Sequence, residues 1–375
     1  MKHKKMLSKI LLLSSIGFFS CSSVNNCDVN ANSETKKLYN NLIELKNEGF
    51  MFGHQDDLAY GVNWKYENER SDVHDVVNDY PAVYGWDIGR IENDSDKNLD
   101  GVPFSKMKDY INDIHKKGGI STISWHVNNP LTGGDAWDTT QGTLASILPG
   151  GMKHDVFKTW LDKVSVFLNS LQTDEAKKIP ILYRPYHELT GNWFWWCQNN
   201  ATPEQFKELW IFSFNYLKSK GVNNLIYVFN TADFNTYEDF EKYYPGDRYV
   251  DIVSFDAYQY GIPTDSAVFI DKCQRQFKIM NDFALQHHKL MAFAETGYEQ
   301  IPDKNWWTNV LLKAIGNYKI SYVLVWRNHG WQEKEQKMHY YAPYKGHLSE
   351  EDFKKFYELP ETLFQKDISS KNLYN

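Results

Sequence analysis

Two glutamates, Glu188 and Glu295, have the residue type and the setting that a catalytic carboxyl pair needs. Glu188 closes the run IPILYRPYHE at 179–188, and Glu295 lies at the end of LMAFAETG at 290–297. Two carboxyl groups held roughly 5–5.5 Å apart can cleave a glycosidic bond with retention, one as acid/base and one as nucleophile. The acid needs a raised pKa, which burial and a negative neighbour supply, and the nucleophile must stay ionised. The pair predicts this chemistry only if the fold brings both side chains together.

Eight short apolar runs recur along the chain, and each ends in polar or aromatic residues. They are rich in Val, Ile, Phe and Tyr, and helical patterns fill the gaps between them. This alternation predicts an α/β fold, a single-domain (β/α)8 TIM barrel over residues 34–370. A doubly wound open sheet is the alternative, but no GxGxxG motif follows a strand. The predicted strands are FMFGH (50–54), PAVYGWDIG (81–89), ISTISWHV (120–127), IPILYRPYHE (179–188), NLIYVFNTA (224–232), YVDIVSFDAY (249–258), LMAFAETG (290–297) and ISYVLVWRN (320–328).

The clearest helical pattern covers residues 202–221. Thr202 is a predicted N-cap, Pro203 takes the first helical position, Gln205 completes a capping box and Gly221 ends the pattern. Further helices are predicted at 33–49, 104–118, 155–171, 265–287 and 304–317.

Catalytic groups of such a barrel lie at the C-terminal ends of its strands, so the strand ends supply the candidate site. The fourth and seventh ends face each other across the mouth, which would bring Glu188 and Glu295 together. Of the clustered tryptophans, alternation places at least one in the core, and we expect Trp193 to contact sugar. The remaining strand-end candidates are His54, Asp56, Asp57, Trp86, Asp87, Arg90, Glu92, Trp125, His126, Arg184, His187, Asn230, Asp233, Asp256, Tyr258, Trp326 and Arg327.

The composition narrows the class of protein. Of 375 residues, 42% are hydrophobic and 24% charged, which is a globular composition, and the net charge of −7 argues against nucleic-acid binding. Neither an EF-hand loop nor Cys/His metal spacing occurs, so we expect no metal and no cofactor. We expect a monomer. Pairing of Cys197 with Cys273 stays open.

The N-terminus has the pattern of an export signal. Basic MKHKKMLSKI is followed by apolar LLLSSIGFF, Ser20 and Cys21. We expect removal of residues 1–20 and lipidation of Cys21, with a polar tether over 21–33; a secretory signal without an anchor is the alternative. The apolar stretch is too short to span a bilayer, so attachment would be through lipid alone. The expected location is the bacterial envelope, with the periplasmic side favoured over the cell surface.

Five motifs together resemble glycoside hydrolase family 26, the β-mannanases, over roughly residues 40–360. They are PAVYGWDIG, SWHVNNP, RPYHELTGNWFWW, VSFDAYQYG and AETG. The resemblance implies a retaining barrel enzyme that cleaves β-1,4 bonds in mannan, galactomannan or glucomannan. It implies Glu188 as acid/base and Glu295 as nucleophile, with His187 where most of the clan carries asparagine.

The resemblance also implies residues that bind sugar or orient the nucleophile. Tyr258 would hydrogen-bond Glu295, Trp326 would form the platform under the sugar at subsite −1, and Arg184 would support the catalytic carboxylates. Asp251 begins a strand, so a structural role stays open for it. The full predicted set is Trp86, His126, Arg184, His187, Trp193, Asp251, Asp256, Tyr258 and Trp326.

Two other functions stay open at this stage. One is a related enzyme acting on β-glucan or xylan, since a barrel does not fix the sugar. The other is a non-catalytic sugar-binding lipoprotein, against which the presence of both glutamates argues. The long loop 128–154 could close the negative subsites and favour release of mannobiose or short manno-oligosaccharides.

Overall fold

The computed structural model describes residues 26–374. Within that range eight parallel strands close into one barrel, which confirms the predicted (β/α)8 fold. Strand order follows the sequence, and the last strand pairs back onto the first, with Met51 opposite Tyr322 and His54 opposite Val325. The barrel strands are β1 (Phe50–Gln55), β2 (Val83–Asp87), β3 (Ile120–Trp125), β4 (Ile181–Pro185), β5 (Leu225–Thr231), β6 (Ile252–Gln259), β7 (Leu290–Tyr298) and β8 (Tyr322–Val325).

Each predicted helical stretch forms a helix, and shorter helices that the sequence did not predict lie between and after them. The capping box at Thr202 and Gln205 is present and starts its helix at Pro203. The pattern at 304–317 forms a π-helical turn, Trp307–Leu311, before a short α-helix. The α-helices are α1 (Ser33–Leu45), α2 (Asp72–Val77), α3 (Phe104–Lys116), α4 (Thr143–Ile147), α5 (His154–Ser170), α6 (Pro203–Ser219), α7 (Tyr237–Glu241), α8 (Ser266–His287), α9 (Leu312–Ile315), α10 (Glu350–Tyr357) and α11 (Gln365–Ser369).

Short strands and 3₁₀ turns lie in the loops around the barrel. Short hairpins follow β1 and β8. The first pairs Tyr60–Gly61 with Trp64–Lys65, and the second pairs Gly330–Gln332 with Lys337–His339. Thr362–Leu363 pairs with the start of β1. Single 3₁₀ turns occur at Ile91–Asn93, Asp247–Tyr249 and Pro263–Asp265.

The apolar core forms two layers on either side of the barrel wall, and Trp86 belongs to the outer one. Its ring is fully buried and stacks on Tyr110 of α3, with 5.7 Å between ring centroids. Because side chains alternate along a strand, Asp87 then points into the barrel. The prediction that Trp86 contacts substrate is therefore wrong.

Helix α1 covers the bottom of the barrel, where the strands begin. Its Leu38, Leu42 and Leu45 pack into the inner layer of the core. The expected tether does not extend across residues 26–32, because this segment is packed against the same end. Asp251, which just precedes β6, lies there too and accepts hydrogen bonds from that segment, so its predicted contact with substrate is wrong.

Other sequence expectations concern the cysteines and the N-terminus. The three cysteines among residues 26–374, Cys27, Cys197 and Cys273, are free thiols. Across the described residues, no helix has both the length and the apolar character that crossing a membrane requires. The predicted signal at 1–20 and Cys21 lie outside the described residues.

Candidate active site

A β-bulge in β7 aims Glu295 into the barrel. Phe293 pairs with Phe255 of β6, but the next pair joins Glu295 to Asp256, so Ala294 is an extra residue. Strict alternation would have put Glu295 on the same outer face as Phe293. The bulge instead turns Glu295 to the side of Asp256, towards the mouth.

Two donors hold the Glu295 carboxylate. Tyr258 donates its hydroxyl to Oε2 at 2.8 Å, and Arg184 donates from Nη2 to Oε1. The other guanidinium nitrogen of Arg184 donates to Asp256 Oδ2 at 2.8 Å. Burial opposes the charge of Arg184, but these two carboxylates outweigh it and raise the pKa of the guanidinium. Charge-assisted bonds of this kind fix the position of the Glu295 carboxylate.

Glu188 lies just past the end of β4 in a different environment. Its backbone N–H donates to Asn230 Oδ1 at 2.7 Å, and its Oε2 accepts from Trp193 Nε1 at 2.6 Å. Burial and the negative charge of Glu295 raise the pKa of Glu188 to about 7. A carboxyl group with that pKa can give up or accept a proton near neutral pH.

The distance between the carboxylates favours a retaining reaction. One oxygen from each of Glu188, Asp256 and Glu295 lies within 4.8 Å of the others. Retaining pairs stand about 5–5.5 Å apart, whereas inverting pairs leave roughly 6.5–9.5 Å for a water. These three are also the one group among residues 26–374 close enough to share a cation, but Arg184 already donates to two of them. The arrangement therefore suits one ionised and one protonated glutamate.

A buried chain of side chains runs behind Glu188. His126 contacts Asp87 Oδ2 through Nδ1 at 2.8 Å and His187 Nε2 through its own Nε2 at 3.1 Å. Burial alone would lower the pKa of His126, but the charge and hydrogen bond of Asp87, together with the charges of Glu295 and Glu188, raise it. Burial and the charges of His126 and Arg184 hold the pKa of His187 well below its usual value. His126 therefore holds a proton more readily than His187, which suits donation from His126 Nε2 to His187 Nε2.

Exposed aromatic rings stand at this mouth. Trp193 is 40% exposed, whereas Trp195 and Trp196 are fully buried, as expected of part of this cluster. Trp137 is 49% exposed, and its ring stacks on His126 with 5.3 Å between centroids and 18° between planes. Trp326 follows β8 and is half-buried. The guanidinium of Arg327 lies over its ring, 5.6 Å from the ring centroid. Such faces can pack against the C–H faces of sugars.

Most of the predicted site residues meet at this mouth. Arg184, Asp256 and Tyr258 contact one another or Glu295. Trp193 donates to Glu188, and His126 contacts His187, the residue before Glu188. Several other strand-end candidates have partners of their own: His54 with Asp57, Glu92 with Trp125, Asp56 with Tyr60, Asp233 with Lys272 and Arg327 with Asp100.

Two residues at the mouth were absent from the predicted binding set. Asn230 bridges Glu188 and Asp256, donating to Asp256 Oδ1 at 2.8 Å. The sequence feature that could have indicated Asn230 is its position at the end of a predicted strand. Trp137 lies in the long loop after β3, where only an isolated large aromatic residue could have marked it.

The similarity to a known family extends over most of the described residues. The sequence profile of glycosyl hydrolase family 26 matches residues 27–345. A mannan endo-1,4-β-mannosidase from Bifidobacterium adolescentis is 32% identical over 367 residues, covering 91% of this chain and 36% of that protein. One from Bacillus subtilis is 28% identical over 308 residues, covering 77% of this chain and 78% of that protein. This chain thus spans about a third of the first relative and most of the second.

Solved structures with the same fold are similar over most of both chains. A GH26 β-mannanase from Bacteroides ovatus has a TM-score of 0.87 and 41% identity, covering 92% of this chain and 98% of that one. The catalytic domain of a GH26 endo-β-1,4-mannanase from Bacillus sp. JAMB-750 has a TM-score of 0.85 and 29% identity, covering 93% and 96%.

Proposed function

Because this chain belongs to glycosyl hydrolase family 26, we propose that it hydrolyses β-1,4-linked mannan with retention at the anomeric carbon. The observation that carries the proposal is the close pair Glu188 and Glu295, with carboxylate oxygens within 4.8 Å but opposite surroundings. Glu295 faces Arg184 and Tyr258, while Glu188 has its pKa raised to about 7. The names of the relatives support mannan as the polymer.

In the first half-reaction Glu295 is the nucleophile. Its carboxylate attacks the anomeric carbon as Glu188 protonates the departing glycosidic oxygen, so a glycosyl ester forms and the leaving chain departs as an alcohol. Arg184 and Tyr258 hold the attacking carboxylate in place. Glu188 begins this step protonated.

In the second half-reaction Glu188 acts as the base. Formation of the ester removes the charge of Glu295, which is one of the causes that raise the pKa of Glu188. The pKa of Glu188 therefore falls once the ester has formed. Its carboxylate then takes a proton from water, which attacks the ester and releases the sugar with its original configuration.

Replacement of each glutamate by alanine tests this assignment on mannan. We expect kcat to fall by roughly 10²–10⁴-fold or more in both variants, the range typical of lost acid–base or covalent catalysis. Asp233→Asn is the matched control, since this carboxylate also follows a strand but pairs with Lys272 and not with a glutamate. Wild-type turnover by either glutamate variant would end the proposal.

The products formed with azide distinguish the acid/base from the nucleophile. Without the acid/base, azide can attack the glycosyl ester and yield a β-azide product. Without the nucleophile, azide takes its place and yields an α-azide. Glu188→Ala should give the first product and Glu295→Ala the second; the reverse result would exchange the roles.

A panel of polysaccharides tests the choice of sugar. We expect release of reducing ends from unsubstituted mannan to exceed release from β-glucan and xylan. A preference for either of those polymers would support the related activity instead, and binding without release would support a sugar-binding protein. Product profiles over time on unsubstituted and galactosylated mannan distinguish mannobiose release from random internal cleavage.

We further propose that the chain is exported, anchored by lipid at Cys21 and monomeric. The basic and apolar N-terminus followed by Ser20 and Cys21 supports the anchor. Cys21→Ser should move the protein from the membrane fraction to the soluble fraction of cells. Light scattering of the detergent-free variant should give the mass of one chain.

A further inference from the structure

The N-terminal segment 26–32 is fastened to the bottom of the barrel by a buried carboxylate. Asp251 accepts hydrogen bonds from Asn26 Nδ2 at 3.0 Å, from the Cys27 backbone N–H at 2.6 Å and from the Cys27 thiol at 3.1 Å. The same side chain accepts from the backbone N–H of Tyr227 in β5 at 2.8 Å. The carboxylate thus joins the segment directly to the barrel wall.

The rest of the segment is held at the same end. The backbone N–H of Asn32 donates to the Asn223 carbonyl at 2.8 Å, and its side-chain amide donates to the Lys178 carbonyl at 3.2 Å. Asp28 forms an ion pair with Lys218 at 2.7 Å. Asn223 and Lys178 precede β5 and β4, so these contacts lie opposite the mouth.

A short stretch of chain separates this attachment from Cys21. Asn26 is five residues further on, and five residues reach at most about 18 Å when fully extended. We propose that the bottom face of the barrel lies against the lipid headgroups of the anchoring bilayer, with the mouth opening away from it. This orientation rests on the proposed lipid at Cys21.

The charges of the bottom face suit anionic headgroups. Lys36, Lys178, Lys289 and Lys319 direct their ammonium groups at carbonyl or amide oxygens. Among the described residues, none of these four has a carboxylate within ion-pair distance. These ammonium groups can attract anionic lipid, and Glu34 and Glu48 at the same end are paired with Lys177 and Lys371. The carboxylates of the active site lie at the other end, where a polymer can enter without meeting the bilayer.

Fluorescence quenching measures the orientation. The lipidated full chain is placed on vesicles of phosphatidylethanolamine and phosphatidylglycerol that carry a nitroxide on the headgroup. A fluorophore is attached at Asn317→Cys near the bottom or at Glu333→Cys in the hairpin after β8; both positions are exposed. We expect quenching at position 317 to exceed quenching at 333 several-fold. Equal or reversed quenching would overturn the orientation.

Two further variants test the attachment itself. Asn26→Ala and Asp251→Asn each remove hydrogen bonds of segment 26–32, and both should speed hydrogen exchange in that segment and reduce the difference in quenching. Asn26→Ala keeps the test available if Asp251→Asn does not fold. A flexible Gly-Ser insertion between Cys21 and Asn26 should abolish the difference while exchange stays slow.

Flotation with the vesicles separates the two proposals. A chain that does not float overturns the anchor and this orientation with it. A chain that floats but shows equal quenching at both positions overturns the orientation alone.

Discussion

The protonation of Glu188 is set by the few groups that touch it. Burial and Glu295 raise its pKa to about 7, while the Trp193 N–H and the charges of Arg184 and His126 act in the opposite direction. This balance places the pKa of the proposed acid/base near neutral pH. Changes to single neighbours should therefore move the pH profile without removing the catalyst.

Trp193→Phe should move the basic limb of the pH profile upward. The indole N–H donates to Glu188 Oε2 and favours the ionised form, so its loss raises the pKa of Glu188. Because proton donation needs protonated Glu188, activity is lost as pH rises through that pKa. A hydrogen bond of about 1 kcal/mol corresponds to roughly 0.7 of a pH unit. The profile of kcat/KM measures the shift, and a basic limb that stays or moves down contradicts the assignment.

Asp87→Asn should lower the pKa of His126. The Asp87 carboxylate opposes the effect of burial on that imidazole, and an adjacent opposite charge is worth about 1–3 pKa units. Loss of the imidazolium removes one charge that lowers the pKa of Glu188. NMR titration of the His126 ring reports the change directly. Asp57→Asn, in the separate pair with His54, is the control and should leave the His126 signal where it was.

At the scale of elements, the strand ends hold the residues of the candidate site, whereas the helices mainly stabilise the barrel. The bulge at Ala294 decides where Glu295 points, and Asp256 and Tyr258 on β6 face it across one strand pair. Helix α6 packs Phe206, Leu209 and Trp210 into the outer core, on the other side of the barrel wall from those carboxylates. Damage to α6 should therefore affect folding more than turnover.

Thr202→Ala tests that division. The Thr202 hydroxyl accepts from the Gln205 backbone N–H, and its backbone N–H donates to the Gln205 side chain. Loss of this cap should lower the free energy of unfolding by about 1 kcal/mol. Denaturant titration measures the loss, and kcat/KM should stay at the wild-type value. Unchanged stability, or a matching fall in kcat/KM, would count against this description.

At the scale of the molecule, closure of the barrel makes the site. Glu188 and Glu295 are far apart in the chain, but β4 and β7 end at the same rim. The barrel holds without disulfides among the described residues: Cys197 follows β4, Cys273 lies in α8, and both are buried thiols. Packing within the two core layers therefore holds the described fold together.

A reducing agent should leave the melting temperature unchanged. Calorimetry with and without dithiothreitol measures this, because no bond between Cys197 and Cys273 is there to be reduced. Alkylation under denaturing conditions should label Cys27, Cys197 and Cys273 without prior reduction. A lower melting temperature in dithiothreitol, or thiols that react only after reduction, would contradict the free thiols.

The sequence by itself determined the barrel strands, the longer helices and the proposed catalytic pair. Apolar runs, helical spacing and the cap at Thr202 are local patterns, so they predicted eight strands, their helices and the two strands that end near Glu188 and Glu295. The rule that catalytic groups lie where strands end then predicted Arg184, Asp256 and Tyr258 at the mouth, and the structure places all three there.

Only the tertiary structure decided which way side chains face and which end of the barrel they reach. Barrel strands are apolar on both faces, so the sequence does not reveal that Trp86 points outward and Asp87 inward. The bulge that turns Glu295 depends on its register with β6. The contact of Asp251 with Asn26 and that of Trp137 with His126 join segments distant in the chain. Such contacts arise from packing between elements, which no local pattern encodes.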